Sequence, residues 1–140
     1  CFICAALKAK RDDGNLIVER GRSCVAMLNR FPYATGHLLI APNAHRGSLV
    51  ELTEDETLEM MELTRKMQRA LDRALSPQGY NLGMNLGRVA GAGLLGHIHQ
   101  HIVPRWNGDT NFMPVTAATK VMPMSLPAVL KALRKAGRPT

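Results

Sequence analysis

The sequence predicts an α+β domain in which an antiparallel sheet carries one long helix and a short C-terminal helix. Short apolar and β-branched runs separated by turn residues predict the strands. A single stripe of apolar residues at three- and four-residue steps predicts the long helix. The 140 residues contain no internal repeat or linker-like segment, and a chain of this length suits one core. We therefore expect residues 1–140 to form a single domain.

The composition is that of a globular protein with a basic surface. Hydrophobic residues make up 46% of the chain and charged residues 21%, which excludes a disordered or collagen-like protein. Apolar stretches are too short for a membrane span and the N-terminus shows no leader pattern, so we expect a cytoplasmic protein with no membrane partner. The net charge of +7 favours an anionic partner, whether nucleic acid, anionic lipid or a phosphorylated small molecule.

The first three strands are predicted in the N-terminal part of the chain. Two apolar runs, Leu16–Glu19 and Ser23–Asn29, flank the turn sequence Arg20–Gly21–Arg22 and predict a hairpin. A third strand is predicted at His37–Ala41, and it ends before Pro42.

The long helix is predicted over Glu54–Leu75. Thr53 and Glu56 have the spacing of a capping box, and acidic first turns with a basic last turn match the helix macrodipole. The segment Ser76–Gly79 ends the helix. Its apolar stripe consists of Met60, Leu63, Met67, Leu71 and Ala74.

The remaining elements lie on either side of a glycine-rich loop. Alternating apolar residues predict a half-buried strand at Tyr80–Leu86, followed by a flexible loop at Gly87–Gly96. The next strand is predicted at His97–Val103, ended by Pro104, and a short basic helix at Leu126–Ala136.

Three of the five histidines alternate in the string His97–Ile98–His99–Gln100–His101. On a strand, this alternation places His97, His99 and His101 on one face, with neighbours about 6.6 Å apart, and turns Gln100 away. Core packing does not readily explain three neighbouring imidazoles on one strand face beside a glycine-rich loop. The row therefore predicts a functional site.

The three cysteines divide into a pair and a single residue. Cys1 and Cys4 have the Cys-x2-Cys spacing of half a zinc site, although spacing alone leaves metal binding, redox chemistry and coincidence open. His45 follows the third strand in a loop, and without partners it would be an ordinary surface residue. Cys24 lies in a predicted strand, where we expect it to be buried.

The string His97–Val103 resembles the histidine triad (HIT) signature, His-φ-His-φ-His-φ-φ with φ apolar. The resemblance extends to NRFPYATGHLLI at 29–40 and PRWNGDTNF at 104–112, and with the Cys-x2-Cys pair it covers nearly the whole chain. The sequence is most similar to the diadenosine polyphosphate hydrolases and phosphorylases, which include the fragile histidine triad proteins. This resemblance implies the HIT fold and a homodimer with the long helix and its neighbouring strand at the interface.

The resemblance also implies which residues perform the chemistry. The catalytic group comprises His97, His99 and His101, in which His99 attacks the α-phosphorus of a nucleotide and His101 contacts the phosphate. Covalent catalysis by a neutral imidazole is reasonable near pH 7. Related proteins with a terminal Cys-x2-Cys bind zinc through positions that correspond to Cys1, Cys4, His45 and His97. A closed set of four ligands implies a structural zinc.

A nucleotide site around the triad is implied in the same way. Asn29 matches a residue that binds the ribose, whereas His37 is either a phosphate-side residue or a buried, hydrogen-bonded histidine. Trp106 either stacks on a base or packs. The implied nucleotide-binding residues are Asn29, His37, Asn85, Gly91, Gly93, His99, His101 and Trp106.

Two positions depart from the family pattern. Hydrolases carry a Gln four residues before the first triad histidine, where this chain has Gly93. The acceptor that removes the nucleotide from His99 could therefore be either phosphate or water. Gln100 is polar where an apolar residue is usual. His101, in place of a Gln, argues against the nucleoside-sugar uridylyltransferase branch.

The resemblance therefore implies a nucleotidyltransferase or hydrolase that cleaves a dinucleoside polyphosphate such as diadenosine tetraphosphate. Cleavage would occur at the α-phosphate through a nucleotidyl-histidine intermediate, by phosphorolysis or hydrolysis. One alternative is hydrolysis of adenosine 5′-monophosphoramidate through the same intermediate. Another is a non-catalytic nucleotide- or nucleic-acid-binding module, suggested by the charge. RNA-binding folds interleave aromatic and basic residues, whereas aromatic residues make up only 4% of this chain, so we expect no nucleic-acid partner.

Overall fold

A computed structural model describes residues 1–9, 11–119 and 121–137, which contain a five-stranded antiparallel sheet. The strands are β1 (Ile17–Arg20), β2 (Cys24–Leu28), β3 (Leu38–Pro42), β4 (Gly79–Met84) and β5 (Gln100–Arg105). Their order across the sheet is β1-β2-β3-β5-β4. The predicted α+β class and antiparallel sheet are confirmed.

The helices are α1 (Phe2–Lys8), α2 (Glu54–Leu75), α3 (Met113–Ala117) and α4 (Leu126–Gly137). Helix α2 has the predicted bounds, and its capping box is present, with the backbone N–H of Glu56 donating to Thr53 Oγ1 at 3.2 Å. Helix α4 matches the predicted C-terminal helix. The short helices α1 and α3 were not predicted. Within the described residues, no helix is long and apolar enough to cross a membrane.

Several strand boundaries differ from the prediction. β5 begins at Gln100 instead of His97. It also continues through Pro104, because β3 pairs with β5 only as far as Ile102 and proline is tolerated where no ladder bond is needed. The backbone N–H of Ile98 donates instead to Arg46 O at 2.7 Å. β3 also includes Pro42, and β4 ends at Met84 rather than at Leu86.

The sheet carries apolar residues on both faces. One face forms the larger core with α2 and α4, and the smaller cluster on the other face holds α1. The larger core includes Ala26, Leu28, Leu38, Ile40, Ile102, Met60, Leu63, Met67, Leu71 and Leu133. The smaller cluster consists of Ile3, Ala6, Ile17, Val25, Met27, Leu39 and Ala41. Because His101 pairs with Leu39 across the sheet, the side chain of His101 lies on the α1 face.

The predicted glycine-rich loop is exposed and contains a single 3₁₀ turn at Arg88–Ala90. Gly87 and Gly91 flank this turn with φ angles of 88° and 87°. These left-handed conformations are readily available only to glycine, so the loop requires glycine on both sides of the turn.

Candidate metal centre and active site

The side chains of Cys1, Cys4, His45 and His97 meet at one point, with their ligand atoms all within 4.8 Å of one another. His97 Nδ1 lies 3.3 Å from Cys1 Sγ and 3.4 Å from Cys4 Sγ. Cys4 Sγ also lies 3.2 Å from His45 Nδ1. Tetrahedral zinc, with Zn–S near 2.3 Å and Zn–N near 2.0 Å, separates sulfur from nitrogen by roughly 3.5 Å. The four residues therefore fit a zinc ion.

Local structure explains how these ligands come together. Cys1 is the N-cap of α1 and Cys4 lies in its first turn, so a spacing of three residues puts both thiols at one end of the helix. His45 approaches from the loop after β3. A side chain at position 96 would crowd the His45 ring, because a Cβ at Gly96 would lie 3.3 Å from His45 Nε2.

The ring of His97 is oriented by a backbone carbonyl. His97 is buried, and its Nε2 lies 2.8 Å from Pro42 O. Because a carbonyl oxygen can only accept, Nε2 carries the proton and Nδ1 faces the cysteines as a free ligand atom. Burial also lowers the pKa of His97, which favours the neutral form that a metal requires.

His99 is held in the tautomer that a nucleophile needs. Its Nδ1 lies 2.8 Å from the carbonyl oxygen of His97 and must donate to it. Nε2 is therefore left with its lone pair. His99 is only 9% exposed, so the residue is largely shielded from water.

His101 is held in the opposite tautomer by a chain of hydrogen bonds. The backbone N–H of Tyr33 donates to His37 Nδ1 at 3.0 Å. His37 therefore carries its proton on Nε2, which donates to His101 Nδ1 at 2.8 Å. His101 is left with Nε2–H as a donor, and burial lowers the pKa of His101. His37 is fully buried. Of the two alternatives given for it above, it fits the buried, hydrogen-bonded histidine.

The implied nucleotide-binding residues do not all lie together. Asn29 lies beside His37, because its Nδ2 is 3.4 Å from His37 Nδ1, while its Oδ1 accepts from the backbone N–H of Phe31. Asn85, His101 and Trp106 line a cavity of about 900 Å³. His99 is not part of that lining, but its ring centroid is 5.1 Å from that of His101. Gly91 and Gly93 lie in the exposed loop, outside the lining.

One further residue shapes this region. Tyr33, which the sequence analysis did not select, lines the cavity and stacks on His101 with ring centroids 5.9 Å apart. Its position between Asn29 and His37 was the available signal. Gln100 faces away from the triad as predicted, and its Nε2 donates to Thr64 Oγ1 of α2 at 3.0 Å. This bond attaches the triad strand to the long helix.

Cys24 is buried as predicted and lies apart from the metal cluster. Its Sγ donates to Glu56 O at 3.4 Å. Burial raises the pKa of the Cys24 thiol to about 12, so this cysteine stays protonated and unreactive.

Fold and site together define a histidine-triad domain with a candidate Cys2His2 metal centre. A family model described as the HIT domain matches residues 10–108. The chain therefore belongs to the HIT family, as the signature at His97–Val103 predicted.

Curated relatives include enzymes that process nucleotides. The chain is 42% identical over 115 residues to an AP-4-A phosphorylase of Mycobacterium tuberculosis, covering 82% of this chain and 59% of that protein. It is 30% identical over 96 residues to the asymmetrical bis(5′-nucleosyl)-tetraphosphatase of Schizosaccharomyces pombe, covering 69% of this chain and 52% of that protein. The chain thus spans between half and three fifths of the length of these two relatives.

Solved structures share the fold. A zinc-bound histidine triad family protein from Mycobacterium smegmatis superposes with a TM-score of 0.76 at 23% identity. The match covers 98% of this chain and 92% of that protein. The predicted HIT fold is therefore confirmed.

Proposed function

We propose that this chain cleaves a dinucleoside polyphosphate such as diadenosine tetraphosphate through a covalent nucleotide on His99. The observation that carries the proposal is the hydrogen bond from His99 Nδ1 to the carbonyl of His97, which leaves Nε2 unprotonated. The similarity to AP-4-A phosphorylase supports the class of substrate. The partner is therefore a small nucleotide rather than a nucleic acid.

In the first step, the lone pair of His99 Nε2 attacks the α-phosphorus. A phosphorus–nitrogen bond forms while the bond from that phosphorus to the bridging oxygen breaks, and the leaving nucleotide takes the electron pair. For diadenosine tetraphosphate, AMP stays on His99 and ATP leaves. The Nε2–H of His101 is the donor available to the phosphate oxygens, and a fixed donor stabilises the charge that develops there.

In the second step, an oxygen of inorganic phosphate attacks the same phosphorus and the bond to His99 breaks. This step releases ADP and restores the imidazole, whereas attack by water would release AMP. We infer phosphate as the acceptor because Gly93 stands where hydrolases of the family carry a Gln, and because the similarity to AP-4-A phosphorylase supports phosphorolysis.

We further propose that the Cys2His2 cluster binds a structural zinc through Cys1, Cys4, His45 and His97. The donor set and the distances between the ligand atoms support zinc. When bound, zinc supplies a fixed tetrahedral cross-link and no open coordination position. His97 therefore serves the reaction through its backbone carbonyl, which orients His99, while its side chain serves the metal.

A homodimer is the assembly we infer. Helix α2 exposes Leu58 and Met61, and the edge strand β4 exposes Leu82. Apolar side chains beside an unpaired strand edge favour association with a second copy. Sedimentation equilibrium tests this inference, since a species of 15.3 kDa would contradict it.

The reaction is tested by incubating purified protein with diadenosine tetraphosphate, with and without inorganic phosphate, and identifying the products. The expected result is continued turnover to ADP and ATP only with phosphate, and no more than one equivalent of ATP per active site without it. AMP and ATP without phosphate would establish hydrolysis instead. Rapid cleavage of adenosine 5′-monophosphoramidate without turnover of diadenosine tetraphosphate would contradict the substrate, and turnover of neither would favour a binding module.

A further inference from the structure

Helix α1 carries two of the four metal ligands but is only seven residues long. An isolated helix shorter than about 12 residues is not stable in water, so contacts with the rest of the protein must hold α1 in place. Ile3 and Ala6 are buried against the sheet, and they anchor the middle of the helix. The metal ligands Cys1 and Cys4 lie at its N-terminal end.

The C-terminal end of α1 is held by one side chain from β1. The Nη1 group of Arg20 donates to Leu7 O at 3.1 Å, and Nη2 donates to Ala6 O at 3.3 Å and to Ala9 O at 3.2 Å. The last carbonyls of a helix have no partner within the helix. The positive charge also complements the negative end of the helix dipole. Arg20 therefore caps α1.

A carboxylate fixes Arg20 itself. Asp12 Oδ1 accepts from Nη2 at 2.8 Å, and Asp12 Oδ2 accepts from Nε at 3.2 Å. Two parallel hydrogen bonds of this kind set the plane of the guanidinium group. The remaining donors then point at the helix end, an arrangement that the single ammonium group of a lysine does not reproduce.

We propose that Arg20 is a positioning residue for the metal centre. By capping α1 it holds Cys1 and Cys4 opposite the two histidine ligands before the metal binds, so less ordering accompanies binding and the affinity is higher. This inference rests on the zinc site proposed above. It predicts that Arg20 controls metal affinity although it lies at the other end of the helix from the ligands.

The test compares zinc affinities measured by competition with a chromophoric chelator. The key variant is Arg20→Met, which keeps an unbranched chain and removes every donor. The matched control is Arg134→Met: Arg134 of α4 pairs with Asp13 and donates to Ile17 O at 2.6 Å, which attaches α4 to β1. Supporting residues around metal sites typically contribute about 10- to 100-fold in affinity. We expect at least a tenfold loss for Arg20→Met and less than a twofold loss for Arg134→Met.

Cobalt spectra show whether the variant still binds metal through the same ligands. At saturating Co²⁺, Arg20→Met should show the same tetrahedral thiolate bands as the unaltered protein, because all four ligands remain, but it should need more cobalt to reach them. Arg20→Lys should bind zinc more tightly than Arg20→Met but less tightly than the unaltered protein. It replaces Arg20→Met as the test variant if Arg20→Met does not fold. Unchanged zinc affinity in the Arg20 variants overturns this inference alone. Absence of zinc binding by the unaltered protein overturns the zinc site as well.

Discussion

The carbonyl oxygen of His97 lies 2.8 Å from Nδ1 of His99, and the side chain of the same His97 turns into the Cys2His2 cluster. One residue therefore joins the candidate metal centre to the candidate nucleophile. Any change that moves the backbone at His97 alters the tautomer and direction of His99. The following predictions test separate parts of this arrangement.

Removing zinc should lower kcat more than it raises KM. The cross-link that fixes His97 would be lost, so the carbonyl that orients His99 would become less well placed. Steady-state kinetics of chelator-treated and zinc-restored protein measure the effect. Full activity in protein shown by elemental analysis to be free of zinc would contradict the link between the two sites.

Gly96→Ala should weaken zinc binding. The new Cβ would lie 3.3 Å from His45 Nε2, so the His45 ring would have to shift from its position among the ligands. Gly79→Ala is the control, because a Cβ at Gly79 meets nothing within 4 Å. Chelator competition should show a loss of about tenfold for Gly96→Ala. Equal affinities in the two variants would refute this account of the His45 ring.

The three cysteines should differ in reactivity. After zinc is removed, iodoacetamide at pH 8 should modify Cys1 and Cys4, whereas Cys24 should resist because its pKa is about 12 and it is buried. With zinc bound, the first two should be protected as well. Peptide mass spectrometry measures all three positions. Modification of Cys24 in the folded protein as fast as that of Cys4 would contradict the prediction.

His37→Phe should lower kcat by about 100-fold with a smaller effect on KM, since loss of one fixed donor to a reacting phosphate costs about that much. The variant removes the donor to His101 Nδ1, which lies 2.8 Å from His37 Nε2. His101 would then be free to change tautomer. His37→Gln, which retains an N–H donor, should lose less. Equal kcat values for both variants would argue against the chain from Tyr33 to His101.

Stability should fall as the pH drops below about 6.5, the usual pKa of histidine. Burial lowers the pKa of His101 in the folded state. Between the lowered pKa and 6.5, the unfolded chain binds more protons than the folded chain, so the free energy of unfolding rises with pH there and levels off above 6.5. Urea unfolding of zinc-bound protein at several pH values measures the slope, which should be smaller in His101→Gln. An identical slope in that variant would be the contrary result.

Much of the fold could be predicted because its signals are local. The caps and apolar stripe of α2 lie within the helix itself, so Glu54–Leu75 was predicted with the correct bounds. The predicted start of β5 was wrong because the backbone N–H of Ile98 donates to the carbonyl of Arg46, a residue far away in the sequence. Helix α1 was missed because its stability depends on Arg20 and on burial against the sheet rather than on its own periodicity.

The candidate site was predictable in its residue types but not in its hydrogen bonding. The spacing of His97, His99 and His101 indicated a site before any geometry was known. The tautomers depend on the backbone groups of Pro42, Tyr33 and His97 itself. Those contacts form only when strands and loops from distant parts of the sequence meet, so no sequence pattern reports them.

The most direct test of the covalent mechanism is mass spectrometry of protein that is mixed with diadenosine tetraphosphate without phosphate and then quenched in acid-free denaturant. We predict an AMP adduct on the peptide that contains His99, chased to ADP when phosphate is added. The adduct should be absent in His99→Ala, whose kcat should fall on the order of 10⁴-fold or more. Turnover that persists in His99→Ala, or an adduct on a different histidine, would contradict the role of His99 as nucleophile.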